Sequence, residues 1–203
     1  MIDLYYAPTA NGWRAALALE QTGLAFRRHK LDLAKGDQKT PEFTALNPLQ
    51  STPVIRDEDG PGGRPLVLTQ SVAILLYAAE KAGKLIPADA LARARTLEWL
   101  LFAASDVAMT SGTLFQLTLV KPAPGPECAA HFERRLARFF AACDTRLAGR
   151  DYLADELTVA DLALYPNAAA RRAIIDKHGP MPHLTRWLER MAARPAVARA
   201  MAE

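Results

Sequence analysis

The stretch Thr9-Ala10-Asn11-Gly12 places a hydroxyl and a side-chain amide in a polar turn between an apolar segment and an alanine-rich one. Both groups can donate hydrogen bonds to a thiolate, and neither exchanges a proton with it at neutral pH. They can stabilise a nucleophile that arrives with a ligand; they do not make one. Gln70-Ser71 opens an apolar, helix-forming run, and the free N–H groups and dipole of a helix start favour a carboxylate there. The third stretch is Asn47-Pro48-Leu49-Gln50-Ser51-Thr52-Pro53-Val54-Ile55. Pro53 donates no hydrogen bond and stands at the mouth of an apolar run, so it belongs at a strand's first residue or in a turn. We expect a cis Thr52–Pro53 bond, with the amide and carbonyl of Thr52 facing outward to pair with an extended peptide. Each stretch has a plainer reading. Pro53 as an ordinary trans proline, Thr69 or Ser71 as a helix cap, Asn11 as the cap of its own helix and Thr9 as a turn residue need no ligand.

The elements around these stretches follow a recognisable order. Ile2 to Tyr6 reads as a buried strand, and Trp13 to Glu20 as a helix stopped by Gly23. Phe26 to Leu33 reads as the return strand of a βαβ unit. Thr40-Pro41-Glu42-Phe43 has a capping threonine and proline at the first helical position, which predicts a short helix. Pro53 to Asp57 and Pro65 to Leu68 read as antiparallel strands flanking the turn-rich Glu58–Gly63, and Val72 to Lys81 as a helix closed by Gly83. The order βαβ-α-ββα is that of a thioredoxin-like domain.

Everything beyond reads as helical, giving an α/β thioredoxin-like domain over residues 1–83, a linker over 84–90 and an all-α helical-bundle domain over 91–203. Arg93 to Ala108 carries Leu97, Leu101 and Ala104 on one stripe, and Cys128, Phe132, Leu136, Phe139, Cys143 and Leu147 make a second; both are expected in the core. Val120 to Pro126 is a proline-broken loop. Thr158-Val159-Ala160-Asp161 is a capping box, which makes Asp161 structural. A last helix spans about Pro182 to Ala192, and Arg194-Pro195 separates it from a short tail.

Bulk properties narrow the functional class. With 203 residues, half of them apolar, the chain can bury a sizeable core. The net charge of +3 is dispersed, which argues against nucleic acid as a partner. Asp3 interrupts the first apolar residues, and we expect no signal peptide, no membrane span and a cytoplasmic location. Cys128 and Cys143 have no metal-ligand or C-x-x-C spacing and read as reduced core residues. Where a thioredoxin carries its cysteine pair, this chain has Thr9 to Gly12, so any sulfur chemistry at that edge needs a thiol brought by a ligand.

The chain resembles the cytosolic glutathione transferases, and more narrowly the bacterial nu-class and yeast prion-like group. The residues that carry the resemblance are Tyr5 to Gly12, Lys35 to Phe43, Asn47-Pro48, the Pro53 loop and Gln70 to Tyr77. The second domain is matched more loosely, by the capping box and overall length. One stretch departs: nu-like proteins usually show a Gly/Gln-rich and aromatic segment where this chain reads Met109 to Leu117.

The resemblance implies that glutathione binds as an added strand against Thr52, beside Pro53, with its γ-glutamyl carboxylate at Ser71 and Gln70 assisting. It places the glycyl carboxylate near Gln38 and Lys39, and the thiol near Thr9 and Asn11 as the catalytic pair. Arg134 corresponds to a basic residue reaching the site from the helical domain, or else lies with Arg135 on a solvated helix face. The resemblance further implies a homodimer, with glutathione as co-substrate, no metal, and a small hydrophobic electrophile or disulfide as second substrate.

The function expected is therefore activation of the glutathione thiol for conjugation or for disulfide reduction. Two rivals remain: a non-catalytic glutathione-binding or regulatory module on the same fold, and a glutathione-independent isomerase or dehalogenase.

Overall fold

In β1 (Ile2–Tyr6) alternate residues are buried, so Ile2, Leu4 and Tyr6 enter one face while Asp3 and Tyr5 take the other. Strand β2 (Phe26–Lys30) runs parallel to β1, and β3 (Val54–Asp57) and β4 (Leu66–Thr69) follow antiparallel, giving the sheet order β2-β1-β3-β4. This computed structural model describes residues 1–202. It forms two compact units: Met1–Ile86 joined by the segment from Arg194 onward, and Pro87–Ala193.

In the first unit, α1 (Ala10–Thr22) and α3 (Ser71–Ala82) pack on each other and against the sheet. The expected stops hold, since Gly23 and Gly83 both cap their helices in the left-handed conformation. On the opposite face, α2 (Pro41–Leu46) contributes Phe43 and Leu46 to a cluster with Tyr5, Leu31 and Val54. Strand β2 is shorter than its sequence suggests. It ends at Lys30, and the chain runs through Leu31 to a 3-10 turn at Asp37–Lys39. Asp57, at the far end of β3, ties the hairpin to α3: its carboxylate accepts from the Tyr77 hydroxyl at 2.5 Å and pairs with Lys81 at 2.8 Å.

The tail after Arg194-Pro195 is itself a helix. Here α10 (Pro195–Met201) packs on α1, so it belongs to the first unit and not to the helical one. Arg28 fastens it by donating to the carbonyl oxygens of Arg199, at 2.7 Å, and of Ala200, at 3.2 Å. The tail's sequence is alanine-rich and lacks a strong apolar stripe, which is why it did not read as a packed element.

The second unit opens with α4 (Ala90–Leu101), a π-helical turn over Phe102–Val107 and α5 (Ala108–Leu119). The expected core stripe is displaced by one residue. Leu101 is exposed, and the buried side is Thr96, Leu100, Ala103 and Val107, a regular stripe one residue ahead of the expected one that continues through the π turn. The joined run Ala90–Leu119 is long and apolar enough to cross a membrane by length and composition alone, a test that a core helix also passes. Its inward side packs on α7 (Val159–Ala170) and α6 (Pro126–Arg146).

Cys143 is fully buried in α6, and burial pushes its thiol up well above the usual range. Cys128, expected in the core, is exposed. The first turn of α6 carries the 3-4 spacing onward but meets no neighbour to bury it. The capping box forms as expected: the Asp161 carboxylate accepts from the Thr158 amide at 3.1 Å, the Leu153 amide at 3.0 Å and the Trp187 indole of α9 (Pro182–Ala192) at 3.0 Å. Burial nonetheless raises its pKa to about 6, against the opposing pull of those donors. The short α8 (Arg172–Lys177) completes the unit.

Candidate functional site

Strand register brings the first unit's chemistry-bearing segments to one end of the sheet. Tyr6 lies beside Lys30, Tyr5 faces Val54, and Val54 faces Thr69. The end of β1, the end of β2, the start of β3 and the end of β4 therefore share one edge. Each is followed or preceded by a candidate segment: Thr9 to Gly12, Asp37 to Lys39, Thr52-Pro53 and Gln70-Ser71. A cleft of about 420 Å³ lies beside Thr9, between the β1–α1 turn and residues 30–37.

Thr9 is the N-cap of α1, and its hydroxyl oxygen accepts from the Gly12 amide at 3.2 Å. Asn11 is not the cap; it lies within the first turn, exposed. Gly12 is there because nothing larger fits, since a Cβ at that position would stand 2.0 Å from the Ala7 carbonyl oxygen. The close approach of α1 to the end of β1 is what sets Thr9 and Asn11 at the rim.

The Thr52–Pro53 bond is cis. The β1–β3 ladder ends with the Tyr5–Val54 pair, so Thr52 lies beyond it, half-buried. Among the described residues no hydrogen bond engages its backbone. An extended ligand laid along this edge meets an amide and a carbonyl outside the ladder.

Ser71 is the first residue of α3, and the preceding Gln70 occupies the cap position without a side-chain capping bond. Gln70 holds φ at +70°, a conformation costing about 1–3 kcal/mol for a residue with a side chain. The Ser71 hydroxyl does not cap the helix either. It is 8 % exposed, and its oxygen accepts from the Arg14 guanidinium at 3.3 Å. The same Arg14 nitrogen donates to Oδ1 of Asn11 at 2.6 Å. One buried cation thus joins the helix start at Ser71 to the turn that carries Asn11. Arg14 is 2 % exposed, and burial lowers its pKa to about 10, which leaves it cationic at neutral pH.

Gln38 and Lys39 sit in the 3-10 turn after β2, with Gln38 half-buried and Lys39 exposed. The Gln38 amide reaches the Leu33 carbonyl at 3.5 Å, and its Oε1 is buried without a partner among the described residues. Arg134 lies on α6 of the second unit, exposed. Among the described residues no group of acidic, histidine and cysteine side chains forms a metal site, and neither cysteine lies in the first unit.

Arg14 was missed by sequence reasoning, and Asn47 was read only as part of the stretch that leads to Pro53. Arg14 stands three residues after Asn11, hence on the same helical face, and is enclosed by alanines and leucines; that spacing was the available signal. Asn47 is buried at the start of the Thr52-Pro53 loop, where its side chain bonds across to Ser51.

Residues 10–81 match the family described as Glutathione S-transferase, N-terminal domain, and residues 107–195 match Glutathione S-transferase, C-terminal domain. The chain is 36 % identical over 205 residues to the disulfide-bond oxidoreductase YfcG of Escherichia coli strain K12, covering 99 % of this chain and 94 % of that protein. Among solved structures, a glutathione transferase from Pseudomonas putida superposes with a TM-score of 0.91 at 32 % identity, covering 98 % of this chain and 90 % of its own; it has one glutathione disulfide bound per subunit. A glutathione transferase from Burkholderia graminis superposes equally well, with a TM-score of 0.91 at 32 % identity over 98 % of this chain and 87 % of that one, and has two glutathione molecules bound per subunit.

Proposed function

Because the chain belongs to the glutathione S-transferase family, we propose that it binds glutathione along the sheet edge of its first unit and activates its thiol for attack on a small electrophile or disulfide. The observation that carries this reading is the convergence of a thiol-free turn, an unladdered backbone at Thr52 and a helix start at Ser71 on one edge. The peptide backbone of the ligand pairs with Thr52 beside Pro53. Its γ-glutamyl carboxylate meets the Ser71 hydroxyl and the amides at the start of α3, with Gln70 alongside. Its glycyl carboxylate takes Gln38 and Lys39, and its sulfur faces the Thr9 hydroxyl and the Asn11 amide. Those two donors favour the thiolate over the thiol and lower its pKa from about 8.5.

Disulfide reduction is the favoured outcome of that thiolate, because the relative from Escherichia coli is a disulfide-bond oxidoreductase and the Pseudomonas putida structure holds glutathione disulfide. The bound thiolate attacks one sulfur of the disulfide and forms a mixed disulfide, and the displaced thiolate takes up a proton. A second glutathione thiolate then attacks the mixed disulfide, leaving glutathione disulfide and the second thiol. Conjugation uses the same thiolate on carbon. A homodimer and a cytoplasmic location belong to the same proposal, on family resemblance.

The test pairs calorimetry with turnover. Glutathione binding together with consumption of a small disulfide, a model electrophile, or both, supports the reading. Binding without turnover of either makes the protein a glutathione-binding module, and turnover without added glutathione makes it a thiol-independent enzyme.

A further inference from the structure

We infer that Arg14 is a positioning residue that sets the donor polarity of the site at two points, turning the amide N–H groups of Asn11 and the hydroxyl hydrogen of Ser71 toward the ligand. This rests on the glutathione reading above and adds to it a residue outside the ligand's reach.

The argument starts from what a guanidinium can do. Arginine has five N–H donors and no acceptor, so whatever approaches it must accept. The Asn11 atom at 2.6 Å from Arg14 is therefore the carbonyl oxygen, and the usual ambiguity between the two ends of an amide is resolved by chemistry. With its oxygen held inward, Asn11 presents only its NH₂ to the rim. The opposite orientation would aim a carbonyl lone pair at a thiolate and repel it.

Ser71 is governed in the same way. Its oxygen accepts from Arg14 at 3.3 Å, so its own hydrogen points elsewhere and is free to be donated to a carboxylate. Thr9 shows the same device with a different donor, because its oxygen accepts from the Gly12 amide and its hydrogen is left for the ligand. The three side chains at the rim are thus all oriented as donors, two of them by one nitrogen. A ligand with a thiolate at one end and a carboxylate at the other is an acceptor at both. The buried positive charge adds attraction to both in a region where screening by water is weak.

Arg14→Met keeps the length and apolar body of the side chain while removing its donors, and Arg14→Lys returns the charge on a nitrogen one bond short of the one that holds both acceptors. The readouts are the pKa of the bound glutathione thiol, followed by thiolate ultraviolet absorbance, and the glutathione Kd by calorimetry. Circular dichroism monitors folding. Arg14→Met is expected to raise the thiol pKa by about one unit and to weaken binding about tenfold, with Arg14→Lys between it and wild type. Asn11→Asp carries the test if Arg14→Met does not fold, because it keeps an acceptor for Arg14 and replaces the NH₂ with a second oxygen. Its bound thiol pKa is expected to rise by more than one unit.

A folded Arg14→Met or Arg14→Lys protein with the wild-type thiol pKa overturns the inference, as does Asn11→Asp with an unchanged pKa. A wild-type protein that does not bind glutathione, or binds it with an ordinary thiol pKa, fails the underlying reading instead.

Discussion

The side-chain amide of Asn47 donates to the carbonyl oxygen of Ser51 at 2.7 Å, closing the loop that leads into Thr52. The Asn47 carbonyl oxygen in turn accepts from the Leu49 amide at 3.1 Å, so one buried side chain holds the loop at two points. Asn47→Ala removes both bonds, together with a third from the same amide to the Ser51 hydroxyl at 3.2 Å, and leaves the Ser51 carbonyl without this partner. The expected loss is about 1–3 kcal/mol, divided between folding stability and glutathione affinity. Denaturant titration and calorimetry on the same variant separate the two.

Gly12→Ala tests how tightly α1 must approach β1. A methyl group cannot occupy a point 2.0 Å from the Ala7 carbonyl oxygen, so the start of the helix must move outward. A cost of about 1–3 kcal/mol is expected, the range for overpacking a close contact. Glutathione affinity should fall by more than stability alone explains, because Thr9 and Asn11 move with the helix. Thermal melts and calorimetry provide the check.

Asp57 gives the acid limb of the stability profile a defined cause. Burial pushes its carboxyl up, but hydrogen bonds from Lys81 and Tyr77 and from the Asp59 amide outweigh that and hold it below the usual carboxylate range. With the folded value lowered, the contribution is fully present above the unfolded pKa of about 3.9 and is lost as pH falls through the folded value. Asp57→Asn should therefore be less stable at neutral pH and should show a shallower loss of stability below about pH 4. Denaturant midpoints across that range measure the slope.

The two cysteines should separate cleanly by reactivity. Cys128 is exposed and Cys143 is fully buried, so a thiol reagent should modify one site in the native protein and both after unfolding. Cys128→Ser should leave glutathione-dependent turnover unchanged, since the reacting sulfur comes with the ligand. Cys143→Ser places a hydroxyl in an apolar environment and should cost about 1–3 kcal/mol in a denaturant titration.

Asp161 holds the second unit together at the start of α7, where backbone amides at Leu153 and Thr158 and the Trp187 indole share its carboxylate. Asp161→Ala strands those buried donors, and an expected loss of about 3–5 kcal/mol follows from removing the anchor of such a network. Chemical denaturation checks it, with glutathione affinity measured in the same variant to follow the first unit separately.

The features that the sequence revealed are those written in local chemistry. Thr158 to Asp161 spells its capping box, Thr40-Pro41 spells a helix start, and Gly23 and Gly83 spell two helix ends. The gathering of Thr9, Thr52 and Ser71 at one edge followed from strand order alone. What stayed hidden depends on which neighbour covers a surface. Leu101 and Cys128 continue an apolar spacing into turns that no other helix covers, so period alone assigned them to the core. Arg14 drew no reading from the sequence, because its contact with Ser71, 57 positions later, exists only once α3 has packed on α1.

Helix α10 is made after the other elements of its unit, and it seats on α1, one of the earlier ones. The thioredoxin-like unit therefore cannot reach its finished state on the ribosome until the intervening helices have emerged. A nascent chain halted before Arg194 carries an α1 with its outer flank bare and an Arg28 deprived of the carbonyl groups it grips. Of the two units, the one threaded earlier is thus the one left waiting for its closing piece.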